Sequence, residues 1–452
     1  MINQQDFIND KQQEVLEKVS QIIKNDLKNN KNISLSDHYY FNSWADNYGK
    51  KKLIQLANMK QRFTDSLYLN LKLIFRQTAV ELQKYFVNYN LEDKKNYSNL
   101  IVSYCDNNAI KNDKIFDKFF SSSIDDSKDT LWFLINVDSA PKKINQFKNI
   151  ILFYKTKNNF LFKINFYFLF LKNIILFFLR KENKFFRDNL AEILKRELMY
   201  VLSKHKIKRV IMPFESQPLQ HAILKKIKDI DYQIKTIGYL HAALPPFPTD
   251  FVWKNNEPDV FLVHGNAQKE ILTNRLGWSK NTVQVTNSFR FQKNSREKYI
   301  NKIYLPYSLG NLDILIKKFE KLFKFDFLNL SPTFEIRNHP FMINSKKHKH
   351  LEQKLNYVMS KLKNKNNEKI KNKFSIFFGA TAAILEVLEH EIVAIHICSE
   401  PVFESHNSKI WTSIKSEQLE PNIFKYELLK KNSIIQFGEK NDFLKKFNIY
   451  NN

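Results

Sequence analysis

Glycine is scarce in this chain. Seven occur in 452 residues: Gly49, Gly238, Gly265, Gly277, Gly310, Gly379 and Gly438. Neither a P-loop nor a GxGxxG is present, which argues against glycine-rich phosphate cradles. Cysteine is scarcer. Cys105 and Cys398 lie far apart and neither belongs to a CxxC, which argues against a disulfide framework or a cysteine zinc site. A reducing cytoplasm is the expected compartment. The eleven histidines include no HExxH, and His390 and His396 do not share a helix face. Asp229 and Asp231 form a DxD in a short lysine-flanked connection, which reads as a turn rather than a divalent-metal site. No metal is therefore expected. A GxSxG nucleophile elbow is also missing. The first 30 residues are polar and charged, without the apolar core of a secretory signal.

Positive charge is plentiful. The formal net charge is +26, which by itself points to nucleic acid, an anionic membrane or an acidic substrate. The lysines are dispersed, however, within a composition rich in Lys, Asn, Ile and Phe that fits A/T-rich codon usage. There is no zinc-finger spacing, RNP-like aromatic motif or compact arginine cluster, so nucleic acid is not an expected partner.

At this length two domains are expected. Residues 1–90 read as an N-terminal helical segment, with apolar positions at helical spacing over 50–90. Beyond it strands and helices alternate. NLIVSYC (99–105), DTLWFLINV (129–137), NIILFYK (149–155), KRVIMPFES (208–216), IKTIGYLHA (234–242), PDVFLVHGN (258–266) and NTVQVTNSF (281–289) read as strands. The charged stretch 291–302 has no apolar face and reads as an interdomain linker. A second alternation starts at KIYLPYS (302–308) and continues through FEIRNHP (334–340) and FSIFFGATAAILEVLEHEIVAIHI (374–397). The fold class is α/β: two Rossmann-like doubly wound domains, 91–292 and 300–452, facing a cleft in the GT-B manner, with extra N-terminal helices.

The last of these stretches is strand–turn–helix–strand. The strand turns at Gly379, the small-residue run Ala380-Thr381-Ala382-Ala383 opens a helix, and Glu386 lies on it. A helix start offers free N–H groups to an anion, and small residues let a phosphate approach. His339, with Arg337 in the same RNHP, ends an earlier strand, where ligands of parallel sheets gather. His339 can donate to a leaving-group phosphate. Thr381 suits a phosphate oxygen or serves as an ordinary helix cap. Glu386 suits the two hydroxyls of a ribose or is a solvated helix glutamate. Ser308 and Gly310, in LPYSLG, add phosphate contacts. In the first domain Glu215 closes its strand and is placed as a general base or a helix cap. His241, ending the next strand, faces the same edge. Arg290 comes after TNSF and neutralises an anionic sugar or phosphate, or is a surface arginine.

FKINFYFLFLKNIILFFLRK (162–181) stands apart. Lys172 and Asn173 interrupt it near the middle, which argues against a membrane span. Asn165, Lys172, Asn173 and Arg180 fall on one stripe at helical spacing. Two readings stand: a buried core helix, or a helix lying in a membrane interface with Arg180, Lys181 and Lys184 near head groups.

FESQPLQHAILKKIK, IKTIGYLHAALPPF, PDVFLVHGNAQKEIL and VTNSFRF resemble the surface-carbohydrate biosynthesis proteins of bacterial O-antigen and capsule clusters, which are similar to GT-B glycosyltransferases. RNHP and GATAAILE separately resemble the nucleotide-binding halves of bacterial sialyltransferases and Kdo transferases. The resemblance covers about residues 205–400. It implies a metal-independent transferase of surface-polysaccharide biosynthesis, with a nucleotide-sugar as substrate and no separate cofactor. The donor it suggests is a CMP-activated acidic keto-sugar. It implies a glycan or lipid-linked acceptor and a cytoplasmic location, peripheral on the inner membrane. A CDP-polyol phosphotransferase and a non-catalytic GT-B scaffold are the alternatives.

Overall fold

The computed structural model describes residues 4–29, 53–59, scattered positions over 71–79, and 81–447 with short breaks at 92–95, 107–108, 112–113, 124–128, 140–148, 156–159, 181–188, 324–333, 364–373 and 440–441.

The first sheet is built from β1 (Tyr85–Asn90), β2 (Asn99–Cys105), β6 (Thr130–Ser139), β7 (Ile150–Lys155), β8 (Arg209–Pro213), β9 (Lys235–Tyr239), β10 (Val260–Val263) and β11 (Val283–Val285). Three short strands, β3 (Ile110–Lys111), β4 (Lys114–Asp117) and β5 (Ser122–Ser123), form a small separate sheet. The eight strands run in the order β1-β7-β6-β2-β8-β9-β10-β11. All neighbours are parallel except β1, which pairs antiparallel with β7. The strands are near-continuous apolar runs because both faces are covered. Residues 85–90, expected inside the helical segment, are therefore an edge strand. Its sequence YFVNYN alternates too weakly to separate it from the helical periodicity before it.

The second sheet comprises β12 (Lys302–Tyr304), β13 (Glu335–Arg337), β14 (Phe374–Phe378), β15 (Val393–Ile397), β16 (Ile414–Glu420) and β17 (Ile423–Leu428), in the order β13-β12-β14-β15-β17-β16. Its first four strands are parallel, and β17 and β16 add an antiparallel edge. Both sheets are thus parallel-rich, as the strand–helix alternation predicts. In β14 the period-two rule is visible: Phe374, Ile376 and Phe378 enter the core under the second sheet, while Phe377 points to the other face.

The helices whose bounds are described are α1 (Gln4–Lys28), α2 (Phe160–Arg180), α3 (Asn189–Lys204), α4 (Pro218–Ile230), α5 (Asn266–Arg275), α6 (Leu312–Leu322), α7 (Lys346–Lys363), α8 (Ala383–Glu389), α9 (Pro401–Glu404) and α10 (Asp442–Phe447). One apolar cluster runs without a break from α1 and the first sheet to Phe377, Leu385, Trp411 and Tyr426 of the second. The helices α1 and α10 cross over. The Gln12 amide in α1 donates to the carbonyls of Val402 (2.7 Å) and Ser405 (3.2 Å), beside the second sheet. Phe443 and Phe447 of α10 pack instead with Phe120, Tyr239 and Phe289 under the first sheet.

In α2, Asn173 is buried and donates to Thr78 Oγ1 at 3.1 Å, whereas Ile164, Tyr167, Phe168, Leu171, Ile175 and Leu179 are exposed. The buried-core reading therefore fails for this apolar face. Two other predicted stripe residues, Asn165 and Lys172, do not join Asn173 on the inside but are exposed; the Arg180 side chain, Lys181 and Lys184 lie outside the described residues.

Candidate functional site

The carboxyl ends of β8, β9 and β11 supply one wall. Beyond β8 the chain turns through Phe214, Glu215 and Ser216, and Ser216 holds a left-handed backbone (φ 57°) that is unusual for a side-chain-bearing residue. Gln220, inside α4, staples this turn. Its Oε1 accepts from the amides of Glu215 (2.8 Å) and Gln217 (3.0 Å), and its Nε2 donates to Pro213 O (2.9 Å). Ser216 Oγ donates to Asp250 O at 2.6 Å and lies 2.8 Å from His221 Nε2. The turn is thus fixed before any ligand arrives.

The Glu215 carboxylate sits between two donors. Gln217 Nε2 reaches Oε2 at 3.1 Å, and His241 Nε2 lies 3.2 Å from Oε1. Burial raises the Glu215 pKa, partly offset by the Arg290 charge. Burial, with the Arg290 and His264 charges, pushes His241 well below its usual range. His241 is accordingly neutral at pH 7 and donates from Nε2 to the carboxylate. The Glu215 side chain keeps 29% exposure, enough to meet a ligand.

Arg290 projects from the turn after β11. Tyr239 OH accepts from the Phe289 amide (2.8 Å), and Ser288 Oγ accepts from the amides of Arg290 (3.2 Å) and Phe291 (2.7 Å). The Arg290 guanidinium is exposed, with Nη1 donating to His241 O at 3.4 Å. Its field acts on both walls. It lowers the pKa of Glu215, His241 and His264 on the first, and of His339 and Glu386 on the second.

The second wall is the carboxyl edge of β12, β13 and β14. His339 lies just past β13, half-buried, its ring edge-on to Tyr307 at 5.4 Å. Burial lowers its pKa, and the Arg290 and His348 charges lower it further, so the imidazole is neutral at pH 7. His348 is buried and bonded to Pro306 O through Nε2 (2.8 Å), which fixes the loop carrying Tyr307 and Ser308. Ser308 is half-buried. Gly379 has φ +57°, and a Cβ there would come within 3.2 Å of Pro306. His396 on β15 bonds Gly379 O at 2.7 Å and so pins this turn. Gly310 is hemmed in differently: a Cβ would fall 1.7 Å from Ser399 Oγ.

α8 starts at Ala383, later than the small-residue run suggests, and has seven residues. Thr381 Oγ1 accepts from the Ala383 amide at 3.3 Å, but the cap of α8 is Ala382, which makes no side-chain capping bond, so Thr381 is not the helix cap. Glu386 Oε1 accepts from Tyr299 OH at 2.8 Å, and Tyr299 in turn accepts from Asn294 Nδ2 at 3.0 Å. Burial raises the Glu386 pKa; the Tyr299 hydrogen bond and the charges of Arg290, Lys298 and Arg337 oppose it. Glu386 is thus an oriented, partly desolvated carboxylate rather than a freely solvated one. Arg337 Nε donates to Glu335 Oε1 at 3.1 Å, and its guanidinium carbon lies 5.9 Å from the Tyr304 ring centroid.

The residues chosen from the sequence thus divide between two walls. Glu215, His241 and Arg290 belong to the first, and Ser308, Gly310, Arg337, His339, Gly379, Thr381 and Glu386 to the second. The Arg290 field reaches both. Sequence reasoning misses three further residues. Tyr299 lies in the stretch read as a linker, yet is buried and bonded to Glu386. Tyr304 ends β12 stacked on Phe377 at 4.8 Å, and burial pushes its hydroxyl up to about 12. Asp250 is buried near Glu215, where burial raises its pKa and the Lys254 charge lowers it. The tyrosine at the third position of KIYLPYS, where β12 ends, was the one signal available. Among the described residues no three His, Cys, Asp or Glu side chains gather as a metal site.

No protein-family model matches this chain, and no curated protein matches it. Among solved structures it is similar to a glycosyltransferase from Rickettsia africae ESF-5, with a TM-score of 0.32 and 10% identity over 70% of this chain and 81% of that one. A likeness that slight does not bear on the chemistry of the two walls.

Proposed function

We propose that this protein is a glycosyltransferase whose first-sheet wall takes the acceptor and whose second-sheet wall takes a nucleotide-sugar donor. One observation supports this above the others: the Arg290 guanidinium is close enough to perturb a carboxylate–histidine pair on one wall and a histidine and a carboxylate on the other. A site of that kind suits a reaction in which a proton leaves one substrate while negative charge grows on a phosphate of the other.

In this reading Glu215 takes the proton of the acceptor hydroxyl. The acceptor oxygen bonds to the sugar's anomeric carbon as the bond from that carbon to the nucleotide phosphate oxygen breaks. The electron pair stays on the phosphate, where Arg290 supplies charge and His339, neutral, donates a hydrogen bond. Thr381, Ser308 and the Gly379 turn line the phosphate side, with Gly310 shaping the loop behind Ser308. Arg337 flanks it, and Glu386 accepts from ribose hydroxyls. The cations come from the chain itself, which is the sense in which we assign metal-independent transfer. A CMP-activated acidic keto-sugar is the first donor to test, with a surface polysaccharide or lipid-linked glycan as acceptor.

Calorimetry against CMP, CDP and UDP ranks donors, and a transfer assay with the matching sugar tests the base. Glu215→Gln keeps the Gln217 and His241 neighbours but cannot take a proton. We expect kcat to fall by at least about 100-fold while nucleotide affinity is retained. Full turnover by this variant would refute the role given to Glu215, and silence across the nucleotide panel would refute the transferase reading.

A further inference from the structure

α2 has its polarity inside out. Its buried side carries Asn173, whose amide donates to Thr78 Oγ1 (3.1 Å), and that hydroxyl donates to Ile74 O (2.7 Å). The opposite side carries Ile164, Tyr167, Phe168, Leu171, Ile175 and Leu179, spaced three or four apart on one face. Their exposures run from 37% at Ile164 to 75% at Leu179. Phe75 packs edge-on to Phe166 at 4.8 Å on the Asn173 side of the helix, and so is not part of this face. Scattered exposed apolar residues need no account, but a continuous face of six on one helix does.

Among the described residues no helix is long and apolar enough to cross a membrane, so this face does not belong to a span. The charge selects the occupant. α2 contains Lys163, Lys172 and Arg180 and no acidic residue, and Lys172 is exposed at the flank of the apolar face. The chain as a whole carries +26. A second copy docked through a two-fold axis would set equal positive charges against each other. An anionic lipid surface meets both needs at once: head groups for the cations and the acyl boundary for the apolar side chains. We propose that α2 lies flat in the surface of an anionic bilayer with this face inserted. The proposal is independent of the transferase reading, because membrane binding is read without any substrate.

The test is sedimentation of the full chain with vesicles of phosphatidylcholine, alone or mixed with phosphatidylglycerol. The protein should pellet with the mixed vesicles, less with the neutral ones, and less at high salt. Phe168→Glu with Leu171→Glu replaces exposed side chains, so circular dichroism should be unchanged while the partition coefficient falls at least about tenfold. In a second variant, Leu171→Trp, emission should be quenched by brominated acyl chains more than in the parent protein. Parent protein that stays in the supernatant, a double variant that pellets as well as the parent, or no added quenching would each overturn the proposal. A double variant that loses self-association but keeps vesicle binding would give the face to a second copy and overturn it as well.

Discussion

Gly265→Ala tests how the two halves are held together. Gly265 lies just past β10 and caps α5 with an extended backbone (φ −165°) that alanine adopts without strain, so the effect is steric. A Cβ there falls 2.4 Å from both Ser433 O and Ile434 O. Both are backbone atoms of a segment clamped from the second half: Glu389 Oε1 accepts from the amides of Ile434 (2.6 Å) and Ile435 (3.1 Å). The segment must withdraw, and three hydrogen bonds go with it. These are Ala267 N to Ser433 O (2.8 Å), Gln268 Nε2 to Ile434 O (2.9 Å) and Gln436 N to His264 O (2.7 Å). At about 1 kcal/mol each they amount to about 3 kcal/mol. Overpacking adds about 2 kcal/mol. The lower entropy of unfolded alanine returns about 0.7 kcal/mol. The net loss is about 4 kcal/mol. Urea unfolding measures it, and hydrogen exchange at the Gln436 amide locates it. A variant within about 0.5 kcal/mol of the parent, with unchanged exchange at Gln436, would refute the docking argument, since even one lost hydrogen bond exceeds that.

The same geometry sets three other outcomes. Arg290→Met removes the charge that lowers the Glu215 pKa, so the acid limb of the kcat/KM profile should move to higher pH; a move to lower pH would contradict the field described here. Tyr299→Phe strips the donor from Glu386 Oε1 and should cost about 1–2 kcal/mol in chemical unfolding. Asp117 is buried, and desolvation raises its pKa from 3.8 to about 6. The folded state therefore holds this proton more tightly than the unfolded one, and stability falls as pH rises from 3.8 towards about 6, by up to about 3 kcal/mol. Asp117→Asn keeps an oxygen for the Phe119 and Phe120 amides and should flatten that slope; an unchanged slope would place the titration elsewhere.

Much of the parallel architecture was legible. Runs such as NLIVSYC and FSIFF coincide with buried strands because a strand covered on both faces must be apolar throughout. The antiparallel edges were not. IKSEQLE and IFKYEL pair through charged neighbours, Lys415 with Glu427 at 3.7 Å and Lys425 with Glu417 at 3.8 Å, and such alternation looks like solvated loop. The strand-end residues Glu215, His241 and His339 were legible for a related reason: in a parallel sheet the residue after the strand has its location set by topology. Tyr299, Asn294 and Gln220 were not, since each acts through a partner that the sequence does not mark. A stretch with charges at five of its twelve positions, 291–302, hides the one aromatic that reaches Glu386.

The crossed packing of α1 and α10 makes neither half self-sufficient. A cut within 291–302 would strand α1 with the wrong partner and strip Phe443 and Phe447 from beneath the first sheet. Each fragment would expose an apolar seam. During synthesis the underside of the first sheet stays uncovered until residues 442–447 are made, so its maturation waits on a segment more than 150 residues downstream of β11.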